Sequence, residues 1–162
     1  MDSFRFMPSS LEKLVKTLHP NQLVETQKFF ASQDKFNLMC RKGVFPYEFV
    51  DSYEKLTEIK RLPEKKHFYN AYYEEDIGNE DYRHAQNVWS SFDCKDLGEY
   101  SDLYLKTDVL LLTDVFESFR KLFRSLYKIE ACHFVTFPGL AWACMLKYSE
   151  VSYLLFYFLI KL

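Results

Sequence analysis

The 162-residue chain is long enough for one domain with a real core. At 48% hydrophobic and 19% aromatic it is too apolar for a disordered segment, and with only 4 Gly and 5 Pro it does not suit a sandwich built on many tight turns. A net charge of −2 lacks the basic excess of a free-standing nucleic-acid binder, but it leaves room for an acidic, metal-dependent nuclease site.

The four cysteines, Cys40, Cys94, Cys132 and Cys144, form no CxxC pair, and the histidines complete no zinc spacing. They read as reduced core cysteines, which implies a reducing compartment. Met1–Met7 has no long apolar run and is no signal peptide. The apolar run Val151–Ile160 is shorter than the ~20 residues a membrane span needs. These features predict an intracellular protein, nuclear or cytoplasmic, with no membrane partner.

In chain order, Asp2–Met7 alternates loosely with aromatics and predicts a short strand near residues 2–6. Ser9-Ser-Leu-Glu12 is a capping box, and Leu11, Leu14, Val15 and Leu18 follow at helical spacing. His19-Pro20 ends that helix. Residues 21–40 suggest one helix around Leu23–Phe30. Asp51-Ser-Tyr-Glu54 starts another, and Lys60–His67 is a basic, Pro-containing loop: a solvated connector, with phosphate contact as the sharper alternative. Asn79 caps a helix whose face holds Tyr82, Ala85, Val88, Trp89 and Phe92. Leu97-Gly98 breaks the pattern. A long helix then runs from about Tyr100 to Lys128, with Leu103, Thr107, Leu110, Leu111, Val115, Leu122 and Phe123 mostly on one face and Arg120, Lys121, Arg124 and Lys128 complementing the dipole at its end. Phe137-Pro-Gly-Leu140 opens the last helix, with Pro138 in its first turn.

One constellation carries chemistry. Tyr104 and Asp108 are four apart, so a helix stacks them on one face. Asp108 stands among apolar neighbours, where a carboxylate needs a cation or hydrogen bonds. A divalent metal would serve, and a phenol one turn away would hold an attacking water. Two-metal phosphodiester hydrolysis needs more carboxylates than this one. Asp102 and Asp114 flank Asp108 on other faces and do not cluster with it. On spacing alone, a Tyr104 packed in the core and an Asp108 hydrogen-bonded at the surface explain the pattern better.

Three stretches resemble the protein-primed type B DNA polymerases of Maverick/Polinton transposons and their viral, plasmid and organellar relatives. They are Asp2-Ser-Phe-Arg-Phe-Met-Pro-Ser-Ser-Leu-Glu-Lys-Leu14, Gly43-Val-Phe-Pro-Tyr-Glu-Phe-Val-Asp-Ser52, and Leu97-Gly-Glu-Tyr-Ser-Asp-Leu-Tyr-Leu-Lys-Thr-Asp-Val-Leu-Leu-Leu112 continuing to Glu117. Phe137-Pro-Gly-Leu-Ala-Trp142 fits the same family. The similarity is collinear over roughly residues 2–148 and stops after Tyr148, leaving residues 149–162 as a divergent apolar tail.

The resemblance implies a DNA-directed DNA polymerase, a nucleotidyltransferase of DNA replication, with 3′–5′ exonuclease. It implies that residues 1–148 are the C-terminal part of an α/β, ribonuclease H-like exonuclease domain: mostly α here, with a short N-terminal strand. It makes Tyr104 and Asp108 the third exonuclease motif, with Asp108 a metal ligand and Tyr104 orienting the hydrolytic water. Mg2+ (or Mn2+) is the implied cofactor. Primer–template DNA, deoxynucleotides and a priming protein are the implied partners. Lys13 stands near where relatives place a helpful lysine, and Lys65 and Lys66 are further candidates for DNA contact. The family's DxE motif and second-motif Asp are expected before Asp2, and its polymerase carboxylates beyond Leu162. The fragment alone is therefore expected to be inactive and to hold metal weakly. The alternative is a non-catalytic helical remnant that binds DNA or a partner protein through Lys60–His67 and Arg120–Lys128.

Overall fold

The computed structural model describes residues 2–30, 32–72 and 74–149. They are mostly helical, as expected: α1 (Leu11–Val15), α2 (Val24–Phe29), α3 (Gln33–Met39), α4 (Glu54–Glu58), α5 (Asn79–Ser91), α6 (Leu97–Tyr127) and α7 (Phe137–Tyr148), with 3-10 turns at Ser3–Arg5, Pro20–Gln22, Lys65–Phe68 and Ala131–His133. The described residues form no strand, only an isolated antiparallel bridge between Asn70 and Glu75. The strand expected near residues 2–6 is instead a 3-10 turn. The Asp2 carboxylate accepts the Phe4 amide at 3.0 Å, and the Phe6 and Met7 amides both reach the Ser3 carbonyl at 3.0 Å. A short polar side chain that captures a nearby amide draws the backbone away from a ladder. The expected tail lies outside the described residues except for Ser149.

The described residues form two compact units, one within residues 11–115 and one within residues 1–10 and 116–162, and α6 contributes to both. In the first, α3 packs against α2 and α5. The single helix expected between residues 21 and 40 is therefore two. Phe36 and Met39 are the buried residues of α3. α5 runs as expected, with Glu80 and Asp81 in its first turn and Ala85 and Val88 buried. Its cap is Gly78, because the Asn79 side chain accepts Lys65 Nζ at 2.6 Å instead.

α6 begins at Leu97, through the expected break. Leu97 is fully buried and its amide donates to the Ile59 carbonyl at 3.0 Å. The Asp96 carboxylate accepts the Glu99 amide at 2.9 Å and starts the helix. A Cβ on Gly98 would stand 3.3 Å from the Leu56 carbonyl oxygen, so this glycine serves a close backbone approach.

Further along α6, Asp114 is buried and caps a distant helix. Its oxygens accept the Glu25 amide at 2.8 Å, the Thr26 amide at 3.0 Å and the Thr26 hydroxyl at 2.7 Å. These are first-turn donors of α2, which have no partner inside that helix.

In the second unit, Phe6, Ala131, Leu140 and Cys144 form the buried centre, with Phe116, Phe119, Phe123 and Tyr127 of α6 packed on it. Their rings contact in sequence, with centroids 6.0, 4.7 and 5.7 Å apart, as i,i+3 and i,i+4 neighbours on one helix face must. Leu122, expected on the core face, is exposed; the aromatic row displaces it. Arg120 donates to both carboxylate oxygens of Glu130, at 2.9 and 3.0 Å, and holds that carboxyl down at about 2. α7 opens at Phe137 with Pro138 in its first turn, as expected.

Replacing Asp114 by Ala leaves the part-buried Glu25 amide and the buried amide and hydroxyl of Thr26 without their acceptor. The expected loss is about 3 kcal/mol in urea-induced unfolding. Asp114→Asn, which keeps one acceptor oxygen, is expected to lose less than half of that.

Candidate functional site

Tyr104 and Asp108 lie one turn apart on α6, as their spacing requires. Asp108 is half-buried. Its Oδ1 is closed off from solvent and has no hydrogen-bond partner among the described residues. Around it, Leu105, Val109 and Leu112 form a stripe at helical spacing and are 61%, 56% and 37% exposed. Burial pushes the Asp108 carboxyl up, while the Lys42 charge and the Tyr104 hydroxyl act against the rise. A carboxylate thus sits on uncovered apolar surface with one oxygen unsatisfied.

The Tyr104 hydroxyl accepts a hydrogen bond from the Tyr47 hydroxyl at 2.8 Å. Burial raises the Tyr104 phenol far above its ordinary value, so it stays protonated at any physiological pH. One turn earlier, the buried Tyr100 donates to the Val44 carbonyl at 2.7 Å. Phe45 packs on both rings, 6.3 Å from Tyr100 and 5.4 Å from Tyr104. Two tyrosines of α6 therefore fasten the segment from Gly43 to Tyr47. A Cβ on Gly43 would meet Tyr104 Cδ2 at 3.3 Å, so only glycine lets the strap lie this close to the ring without displacing it. Behind the ring is a cavity of about 20 Å3 lined by Arg41, His84 and Thr107 among others. His84 Nε2 is buried and unpartnered among the described residues. Burial, and then the Arg41 charge, pushes its imidazole down.

Lys42, at the start of this strap, is the residue that sequence reasoning missed. The signal was its place directly before Gly43–Ser52, one of the three resembling stretches. Lys13 is exposed on α1. In the basic loop, Lys65 donates to Asn79 at 2.6 Å, Lys66 pairs with Glu64 at 2.8 Å and Lys60 with Asp96 at 3.5 Å. Asp114 is used in the α2 cap, and Asp102 lines a groove with Phe29, Phe30 and Phe92. The basic end of α6, Arg120–Lys128, belongs to the other unit. The four cysteines are free. Among the described residues no three His, Cys, Asp or Glu side chains gather as a metal group, and no helix is long and apolar enough to cross a membrane. Asp108 thus fits as one oxygen ligand for a divalent ion. These residues alone do not make a metal site, since such an ion takes several oxygens.

The raised Asp108 carboxyl sets a sign. Its charged form is disfavoured in the folded chain, so the penalty is present at neutral pH and is relieved as pH falls through the folded value. Asp108→Asn is expected to raise Tm at pH 7, by a degree or more. Thermal scans are expected to show that gain vanish by about pH 3, below the ordinary carboxylate value near 3.9.

The family model for DNA polymerase type B, organellar and viral, matches residues 1–157. A probable DNA polymerase of Neurospora intermedia is 27% identical over 148 residues, covering 91% of this chain. The chain spans 13% of that relative's length. No solved structure matches it. With the match running over nearly its whole length, the chain belongs to the organellar and viral type B DNA polymerases, a family of nucleotidyltransferases of DNA replication.

Proposed function

We propose that this chain is the part of a protein-primed type B polymerase that completes a ribonuclease H-like 3′–5′ exonuclease domain. Asp108 supplies one ligand to the catalytic cations, Mg2+ or Mn2+. Tyr104, kept protonated, orients the attacking water. The observation that carries this reading is Asp108 itself. A carboxylate with a buried, unpartnered oxygen beside an exposed apolar stripe is costly in isolation. It makes sense as half of a site whose other half covers Leu105, Val109 and Leu112 and brings further carboxylates. The rest of a polymerase of the relative's length is the source of that half. Primer–template DNA, deoxynucleotides and a priming protein are the partners of the complete molecule.

The reading as a DNA-binding helical remnant has less support. Lys60, Lys65 and Lys66 each have a local partner, which leaves the basic loop few free cations.

The purified chain is expected to show no polymerase activity and no Mg2+-dependent degradation of single-stranded DNA. Such degradation, lost in Asp108→Ala, would refute the proposal. In a polymerase of full length carrying this segment, Asp108→Ala is expected to lower mismatch removal by more than 100-fold, and Tyr104→Phe by roughly 100-fold, with primer extension retained.

A further inference from the structure

A cavity of about 530 Å3 in the first unit shares Arg41 with the small cavity behind Tyr104 and has no role in the site described above. Its volume is within the range of ~300–1,000 Å3 that small-molecule sites occupy. Val15, Leu18 and Leu23, with Pro20 and Cys40, give it an apolar wall, and ionised side chains make up the rest.

The charges are not equivalent. Lys16 is paired with Glu12 at 2.6 Å, and Arg41 with Asp81. Lys42 makes no salt bridge among the described residues. It is also the cation that acts on Asp108. Arg41, its neighbour, lines both this cavity and the small one behind Tyr104. The cavity and the site therefore share two consecutive basic residues.

We propose that this cavity receives the deoxynucleoside 5′-monophosphate released at the Asp108 site, its phosphate on Lys42 and its base against Val15, Leu18 and Leu23. Lined about equally by apolar and ionised side chains, the cavity matches a mononucleotide better than a purely apolar or purely anionic ligand. The source of the ligand rests on the exonuclease reading. In that hydrolysis the water oxygen bonds to the terminal phosphorus and the bond from phosphorus to the 3′ oxygen breaks. The electron pair stays on that oxygen, which takes a proton. The released nucleotide carries its phosphate dianion into the Lys42 end. Glu80, also on the cavity wall, is an acceptor that a sugar hydroxyl or a base amine can use.

The test is titration of the isotopically labelled chain with thymidine 5′-monophosphate, with thymidine and inorganic phosphate as separate arms, read by amide chemical shifts. Saturable shifts at Val15, Leu18, Arg41 and Lys42 are expected, with Kd on the order of 0.1–1 mM. Thymidine and phosphate alone are expected to bind at least tenfold more weakly, and Lys42→Gln to weaken the monophosphate at least fivefold. Leu18→Glu, which places a negative charge against the base and leaves Lys42 intact, is expected to weaken it similarly. Absence of saturable shifts up to 10 mM monophosphate, roughly tenfold above the weakest expected Kd, overturns the inference. So does equal binding by Lys42→Gln, or a response confined to residues outside the cavity. Because binding is read without catalysis, monophosphate binding without exonuclease in a complete polymerase would sink the exonuclease reading alone. Exonuclease without binding would sink this inference alone.

Discussion

The packing of Gly43–Tyr47 onto Tyr100 and Tyr104 is the constraint on which the candidate site depends. Two rings one turn apart on α6, a hydrogen bond from Tyr100 to the Val44 carbonyl, and another between the Tyr47 and Tyr104 hydroxyls leave the strap little freedom. Lys42 and Arg41 lead directly into that strap, so their positions follow from it. The same contacts fix the Tyr104 ring against Gly43. Packing from a neighbouring segment that holds one side chain in place is how a rigid site is made from a loop.

Two carboxylates on α6 show how burial separates structure from chemistry. Asp114 is the more deeply buried, yet three donors from α2 satisfy it. Its role ends there, in joining α2 to α6. Asp108, six positions earlier on another face, has an oxygen with no donor among the described residues and a neighbourhood that resists its charge. A group left unsatisfied in this way calls for an explanation, and a ligand supplied from elsewhere is one. The exposed stripe of Leu105, Val109 and Leu112 beside it gives the same indication in apolar terms.

What could be read from the sequence follows the range of the forces involved. α5, α6 and α7 announce themselves through sustained apolar periodicity and through Pro138. The alternating start of the chain misled, because the Asp2 carboxylate captures its own backbone within two residues. Gly98 looked like a helix breaker but serves a close approach to Leu56, which no local pattern reveals. The Asp114 cap joins residues 88 and 89 positions apart, and the Lys42 effect on Asp108 is also long-range. Tyr104 and Asp108 were legible because their relation is a single helical turn. The lysine beside them was not, because α3 and the strap had to be placed first.

The central claim is that Asp108 ligates a divalent cation once the rest of the polymerase is present. The most direct measurement is anomalous diffraction from Mn2+ in crystals of a polymerase of full length carrying this segment, with single-stranded DNA bound. The account predicts a metal peak at about 2.1 Å from an Asp108 oxygen, the distance of a direct oxygen ligand to a small divalent ion, shared with carboxylates from outside these residues. A fully occupied metal pair in the exonuclease domain with Asp108 turned away from both ions would contradict it.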